Sequence, residues 1–147
     1  MPLEVSLLDE LDRCVTSMGS RLLRSWLLRP LLALDPIRDR LDAVEDLAFR
    51  TTERGKFRDA VKAVQDLERL VAKVLTGRAN ARDLVGLANS LAVVPQLRSK
   101  LESVYSKVLG DLLARLDPLH DVTERIQRTL VDAPPLSLKD GGIVRPG

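Results

Sequence analysis

Apolar residues recur along this chain at steps of three and four, and proline, glycine and short polar stretches punctuate the rhythm. Leu7, Leu8 and Leu11 stand among Asp9, Glu10, Asp12 and Arg13, the pattern of a short helical turn. Leu22, Leu23, Trp26 and Leu27 fall at i, i+1, i+4 and i+5, which is one stripe of a helix. Thr16 or Ser17 is its candidate cap. Pro30 is its stop, because a proline disfavours helical geometry in the residue before it. Ile37, Leu41, Val44 and Leu47 then follow at steps of 4, 3 and 3. Asp35 is expected to cap that helix and Pro36 to be its first residue, where the missing N–H is harmless. Arg38, Asp39, Arg40, Asp42, Glu45 and Asp46 make its polar far face.

From Phe57 the apolar set Val61, Val64, Leu67, Leu70, Val71, Val74 and Leu75 keeps helical phase, as one long helix or as two with a break near Gln65-Asp66. Gly77 stops it at the position that tolerates left-handed backbone. Asn80 caps a helix with Leu84, Leu87, Ala88 and Leu91 inside. Pro95 separates it from a segment carrying Leu97, Leu101 and Val104, and a further short helix holds Val108, Leu109, Leu112, Leu113 and Leu116. Asp117-Pro118 repeats the Asp-Pro start ahead of a last helix expected to bury Leu119, Val122, Ile126 and Leu130. After Pro134-Pro135 the character changes. Leu136 and Leu138 alternate with polar residues, Asp140-Gly141-Gly142 is a turn signal, and Ile143-Val144 is β-branched, so a small hairpin or extended segment is expected. The expected organisation is all-α: an irregular multi-helix bundle over residues 1–133 and a hairpin or extended tail over 134–147.

Composition agrees with that reading. The 147 residues make one ordinary domain, 45% hydrophobic and 30% charged, with only 3% aromatics. Leu, Ala and Arg, all good helix formers, abound. The net charge of +2, from 23 basic and 21 acidic residues, is too small to imply nucleic-acid binding by itself. The single cysteine, Cys14, has no internal disulfide partner, which favours a reducing compartment. No apolar run reaches the roughly 18 residues of a membrane span. Met1-Pro2-Leu3-Glu4 lacks the basic and apolar regions of a signal peptide. The expected compartment is the cytoplasm.

Candidate chemistry is sparse. His120, the sole histidine, sits between Leu119 and Asp121 and reads as a surface or boundary residue. Cys14 has no imidazole in its sequence neighbourhood and reads as a small buried thiol. Asp9, Glu10 and Asp12 lack the glycine and closing glutamate of a calcium loop. Gly55-Lys56 is followed by Phe57, outside any phosphate-loop pattern. Arg21, Arg24 and Arg29, then Arg50, Arg54, Lys56 and Arg58, then Arg78 and Arg82 are the groups able to meet a nucleic-acid backbone. Acidic residues are interleaved with them, so a salt-bridged surface is the expected reading. Trp26 lies on an apolar stripe and reads as a core anchor rather than a stacking platform. No catalytic, cofactor-binding or metal-binding residue is assigned.

The stretch from Leu11 to Leu27, L-D-R-C-V-T-S-M-G-S-R-L-L-R-S-W-L, resembles the opening of the core domain of the MutS mismatch-repair family, close to L-D-x-T-x-T-x-x-G-x-R-x-L-x-x-W. The likeness continues through Pro30-Leu31, Ile37, Arg40 to Glu45, Asp66 to Leu70, Gly77-Arg78-Ala79 and Arg82-Asp83-Leu84. It closes at Asp140 to Gly147. Cys14 departs from it, standing where the family usually has threonine.

The resemblance implies a structural and allosteric body that links an ATPase to a DNA-gripping clamp inserted just beyond this stretch. It further implies ATP and magnesium bound elsewhere in a homodimeric parent, which contacts mismatched duplex DNA and packs its other domains on this one. Gly141-Gly142 is the expected junction toward the clamp. Two other readings stay open from the residues: an independent helical protein-interaction module, and a helical domain that binds the DNA backbone directly.

Overall fold

The computed structural model describes residues 6–136, 139 and 141–146. Among them nine helices follow one another: α1 (Leu7–Leu11), α2 (Ser17–Leu28), α3 (Leu34–Phe49), α4 (Thr51–Val61), α5 (Leu67–Leu75), α6 (Ala81–Ala92), α7 (Val94–Lys100), α8 (Lys107–Arg115) and α9 (His120–Thr129). The fold is all-α. The one pairing of extended backbone among the described residues is an antiparallel bridge between Leu130 and Val144.

Local chemistry sets most of these boundaries. Ser6 and Asp9 form a reciprocal capping box at α1, and Asn80 and Asp83 form another at α6. Thr16, not Ser17, caps α2 by accepting the Gly19 N–H. The apolar run from Phe57 is two helices, and Asp66 caps the second by accepting the Arg69 N–H. That helix closes on Gly77, whose φ is 65°. The Arg78 N–H reaches the Lys73 carbonyl at 2.9 Å and the Gly77 N–H reaches Val74 at 3.1 Å, the two bonds of a Schellman ending.

The Asp-Pro starts work differently from expectation. Ala33 holds the N-cap position of α3 and gives no side-chain bond, so Asp35 lies inside the first turn, where it meets the positive end of the helix dipole. At α9 the cap position belongs to Leu119, in left-handed geometry at φ 47°. Asp117 holds it there by accepting its N–H at 2.9 Å.

The packed centre is α6, which contacts α5, α7 and α9; α4 lies on α7 and α3 on α8. Ala88 and Leu91 of α6, Val94 and Leu97 of α7, and Leu101, Leu130 and Leu70 are buried there. Small residues allow the close approach. A Cβ on Gly86 would stand 2.6 Å from Gln65 Oε1, so a larger residue there would have to displace the Gln65 side chain.

The outer helices depart from the expected seams. On α3, Ala43 and Asp46 face inward, while Leu41 is exposed and Val44 is 64% exposed. At about 100° per residue, Ala43, Asp46 and Leu47 point to one side of the helix, and Leu34, Leu41 and Val44 to another. The expected polar face therefore contains the most deeply buried carboxylate. Trp26 is not a core anchor: it is 42% exposed and lies beneath the Arg40 guanidinium, 3.8 Å from the ring centroid. Cys14 is exposed, not buried. Leu22, Leu27, Val71, Val74, Leu75, Leu119 and Val122 are also exposed, and Thr123 takes the inward position on α9.

Beyond the buried Pro134 the chain turns through Gly141 and Gly142, both left-handed at φ 67° and 65°. It then returns along the end of α9. The Val131 N–H donates to Ile143 and the Arg145 N–H to Thr129, at 3.0 and 2.9 Å. The extended partner of Ile143-Val144 is thus the segment 129–131. Leu138 and Asp140 of the expected turn lie outside the described residues, as do Met1 to Val5. Among the described residues no helix is long and apolar enough to cross a membrane.

Candidate functional site

The most constrained chemistry in the chain centres on Asp46, whose side chain is 0% exposed. It projects from the last turns of α3. The Arg50 Nε donates to its Oδ1 at 2.6 Å, and the backbone N–H groups of Tyr105 and Ser106 donate to Oδ2 at 2.7 and 2.8 Å. Burial alone would push this carboxyl up. The Arg50 guanidinium and the Ser106 and Tyr105 amides outweigh it and hold Asp46 below the usual carboxylate range. Arg50 also donates to Ser103 Oγ at 2.7 Å, and its guanidinium lies 5.8 Å from the Tyr105 ring centroid. One buried anion therefore ties the end of α3 and the start of α4 to the α7–α8 loop. Ser106 precedes α8 but does not cap it, and its buried hydroxyl has no hydrogen-bond partner.

A second polar cluster joins α2 to α5. Asp66 accepts from Ser17 Oγ at 2.9 Å and from both terminal nitrogens of Arg21 at 2.8 Å, and Arg21 also reaches Glu68. These bonds from Arg21 hold Asp66 well below the ordinary carboxylate range. A third link, Lys73 Nζ to Asp83 Oδ1 at 2.6 Å, joins α5 to the cap of α6 and lowers the Asp83 pKa.

Other arginines bind carbonyl oxygens. Arg54 donates to Leu47 and Ala48 at 2.9 and 3.3 Å, Arg58 to Arg13 at 2.9 Å, and Arg82 to Pro134 at 2.7 Å. Arg145 donates to Leu130 at 2.7 Å and pairs with Asp132, fastening the tail to the end of α9. Five of the basic residues picked out as able to meet nucleic acid (Arg21, Arg50, Arg54, Arg58 and Arg82) are thus hydrogen-bonded within the chain, although Arg21, Arg58 and Arg82 are themselves exposed. Arg24, Arg29, Lys56 and Arg78 lie on the surface.

His120 is exposed at the first turn of α9, far in sequence from Cys14. Asp9 and Asp12 serve backbone and hydroxyl groups beside them. Among the described residues no group of three or more His, Cys, Asp or Glu is placed to hold a metal ion. Gly55-Lys56 lies inside α4, so it forms no phosphate-cradling loop and does not fit a nucleotide site. Pattern reading missed Asp46. The i, i+4 pair Asp46–Arg50 was visible, but it is equally the signature of a solvated helix face.

These features describe a body held by cross-links between helices. Residues 3–146 match the family model described as MutS domain III. The chain belongs to the MutS domain III family. A DNA mismatch repair protein MutS of Pelotomaculum thermopropionicum is 46% identical over 143 residues, covering 97% of this chain and 17% of that protein. The MutS of Symbiobacterium thermophilum is 46% identical over 142 residues, 97% of this chain and 16% of its own length. An archaeal MutS, from Methanosarcina barkeri, is 44% identical over 148 residues, 98% of this chain and 16% of that protein. This MutS domain III chain spans about a sixth of the length of the curated relatives it matches.

Proposed function

We propose that this chain is the structural and allosteric core of a DNA mismatch-repair protein, linking an ATPase to a DNA-gripping clamp and carrying no reaction centre itself. The observation that carries this reading is the match to MutS domain III across residues 3–146. Two features support it. Five of the nine basic side chains that the sequence offers to DNA are hydrogen-bonded to carboxylates and carbonyls of this chain, which weighs against direct backbone binding. The apolar faces of α2, α3 and α5 stand open in this chain, as expected of a piece that other domains of a parent cover. ATP and magnesium belong elsewhere in that parent, which acts as a cytoplasmic homodimer on mismatched duplex DNA.

A helical body relays motion by moving nearly rigidly, with change concentrated at its junctions. Gly141 and Gly142 form the junction in this reading. Both are left-handed, and each disfavours a side chain by about 1 kcal/mol or more. Replacing both with alanine in the full-length polypeptide should slow or weaken ATP-induced release from mismatched DNA, read by fluorescence anisotropy. Release indistinguishable from the unsubstituted protein removes the junction from the relay.

A further inference from the structure

A single residue interrupts what would otherwise be one helix from 34 to 61. Arg50 leaves helical geometry at φ −100° and ψ 59°, and neither proline nor glycine stands at the break. Kinks have identifiable causes, and here the backbone-breaking residues that usually supply them are missing. Thr51 and Thr52 are compatible with helix, and Gly55 lies a turn further on, inside α4.

What holds the break is tertiary. Asp46 grips Arg50 on one side and the Tyr105 and Ser106 amides on the other. Arg50 extends to Ser103. Leu47 and Ala48, whose carbonyls would receive the Thr51 and Thr52 N–H groups in a continuous helix, instead accept from the Arg54 guanidinium. The amides at the start of α4 have no partner within their own helix. The Ser106 hydroxyl bonds nothing and leaves α8 without a side-chain cap, while Asp46 accepts the Tyr105 and Ser106 amides just ahead of that helix.

We infer that the α3–α4 joint is a two-state device, interrupted while Asp46 holds both Arg50 and the Tyr105 and Ser106 amides ahead of α8, and continuous when that latch opens. The two states exchange one set of hydrogen bonds for another. In the latched state Arg54 serves Leu47 and Ala48, and Asp46 serves Tyr105 and Ser106. In the open state Thr51 and Thr52 take those carbonyls, and the Tyr105 and Ser106 amides lose their acceptor. Opening would therefore release the α7–α8 loop from α3 and realign α4, which packs on α7. Such an element can take up a large movement over few residues.

The test is amide hydrogen exchange at residue resolution in the full-length polypeptide, comparing Asp46→Ala, Arg54→Met and Ser106→Ala with the unsubstituted protein. Asp46→Ala is expected to slow exchange at Thr51 and Thr52 by about tenfold or more while speeding it at Tyr105 and Ser106. Changes of opposite sign separate a latch from simple loosening, which speeds both segments. Arg54→Met, which leaves the buried anion in place, is expected to shift the same equilibrium less, slowing Thr51 and Thr52 and speeding Tyr105 and Ser106 by smaller factors. Ser106→Ala is expected to leave both segments unchanged. Faster exchange at Thr51 and Thr52 in Asp46→Ala and Arg54→Met, or no change there in either, overturns the two-state joint. A Ser106→Ala effect at 105–106 as large as that of Asp46→Ala overturns Asp46 as the group that holds these amides.

Discussion

The half of the chain built on α6, α7 and α9 and the half built on α2 and α3 both carry apolar residues at helical spacing, the second even more leucines than the first, yet they are held by different forces. In the first, Ala88, Leu91, Val94, Leu97 and Leu130 meet inside, with small residues drawing the helices together. In the second, no residue of α2 is buried, and its attachments are the Arg21–Asp66–Glu68 cluster and the cation over Trp26. Periodicity specifies that a helix has an apolar face. It does not specify whether this chain supplies the surface that covers it. The contrast predicts that burial governs stability in the first half and that screened electrostatics governs the attachment of α2 in the second.

The largest effect should come from the buried half. Leu91→Ala removes a side chain from the centre of α6 and leaves a cavity, destabilising by about 2–4 kcal/mol. Denaturant unfolding should show the loss with the slope unchanged and with little dependence on salt. A loss under about 1 kcal/mol would mean that this half is no better packed than the other.

Arg21→Ala should have a smaller effect with a different signature. Arg21 is half exposed and Glu68 largely so, and the Tm decrease should therefore shrink as salt rises from low to high concentration. The pH dependence has a definite sign. Asp66 has its folded pKa depressed by Arg21, so its contribution is present above the ordinary carboxylate value and is lost as pH falls through the lower folded value. Arg21→Ala removes most of that depression, so the Tm difference between mutant and parent should be full near neutrality and narrow in acid. A difference that is constant with pH and salt would show that Arg21 acts through packing of its stem.

How much of this was legible depended on the range of the interaction. The Asn80–Asp83 box, the Thr16 cap and the Gly77 ending are local, and a few residues of sequence contain all their parts. The all-α class followed from such signals repeated along the chain, while the break near Gln65-Asp66 was only one of two readings that the apolar run left open. Asp46 was not legible, because the amides that bury it come from positions 59 and 60 residues later. The inward side of α3 failed for a related reason. Leu41 and Val44 are the more apolar choice, but the neighbours available in this chain pack against Ala43 and Asp46. Cys14 and Trp26 followed a rule about which residue types are usually inside, and that rule assumes the whole of the covering surface is present. For the tail, the β-branched pair and the glycines announced an extended turn, while its partner at 129–131 could be found only in three dimensions.

The smallest effect sharpens the comparison most. Leu32 lies between α2 and α3 and is 95% exposed. Replacing it with serine removes apolar surface that already faces water in this chain. Its thermal stability should change by no more than about 0.5 kcal/mol. The same substitution in the full-length polypeptide would remove buried surface if another domain covers this corner, and burying a leucine is worth about 1.5–3 kcal/mol. The informative quantity is the difference between the two settings, measured by denaturant unfolding of each. A near-zero effect in both would leave the open face of α2 and α3 as ordinary surface and remove one support for the relay. A near-zero effect in the chain and a marked one in the longer polypeptide would show that the apolar pattern of this half was written for a neighbour.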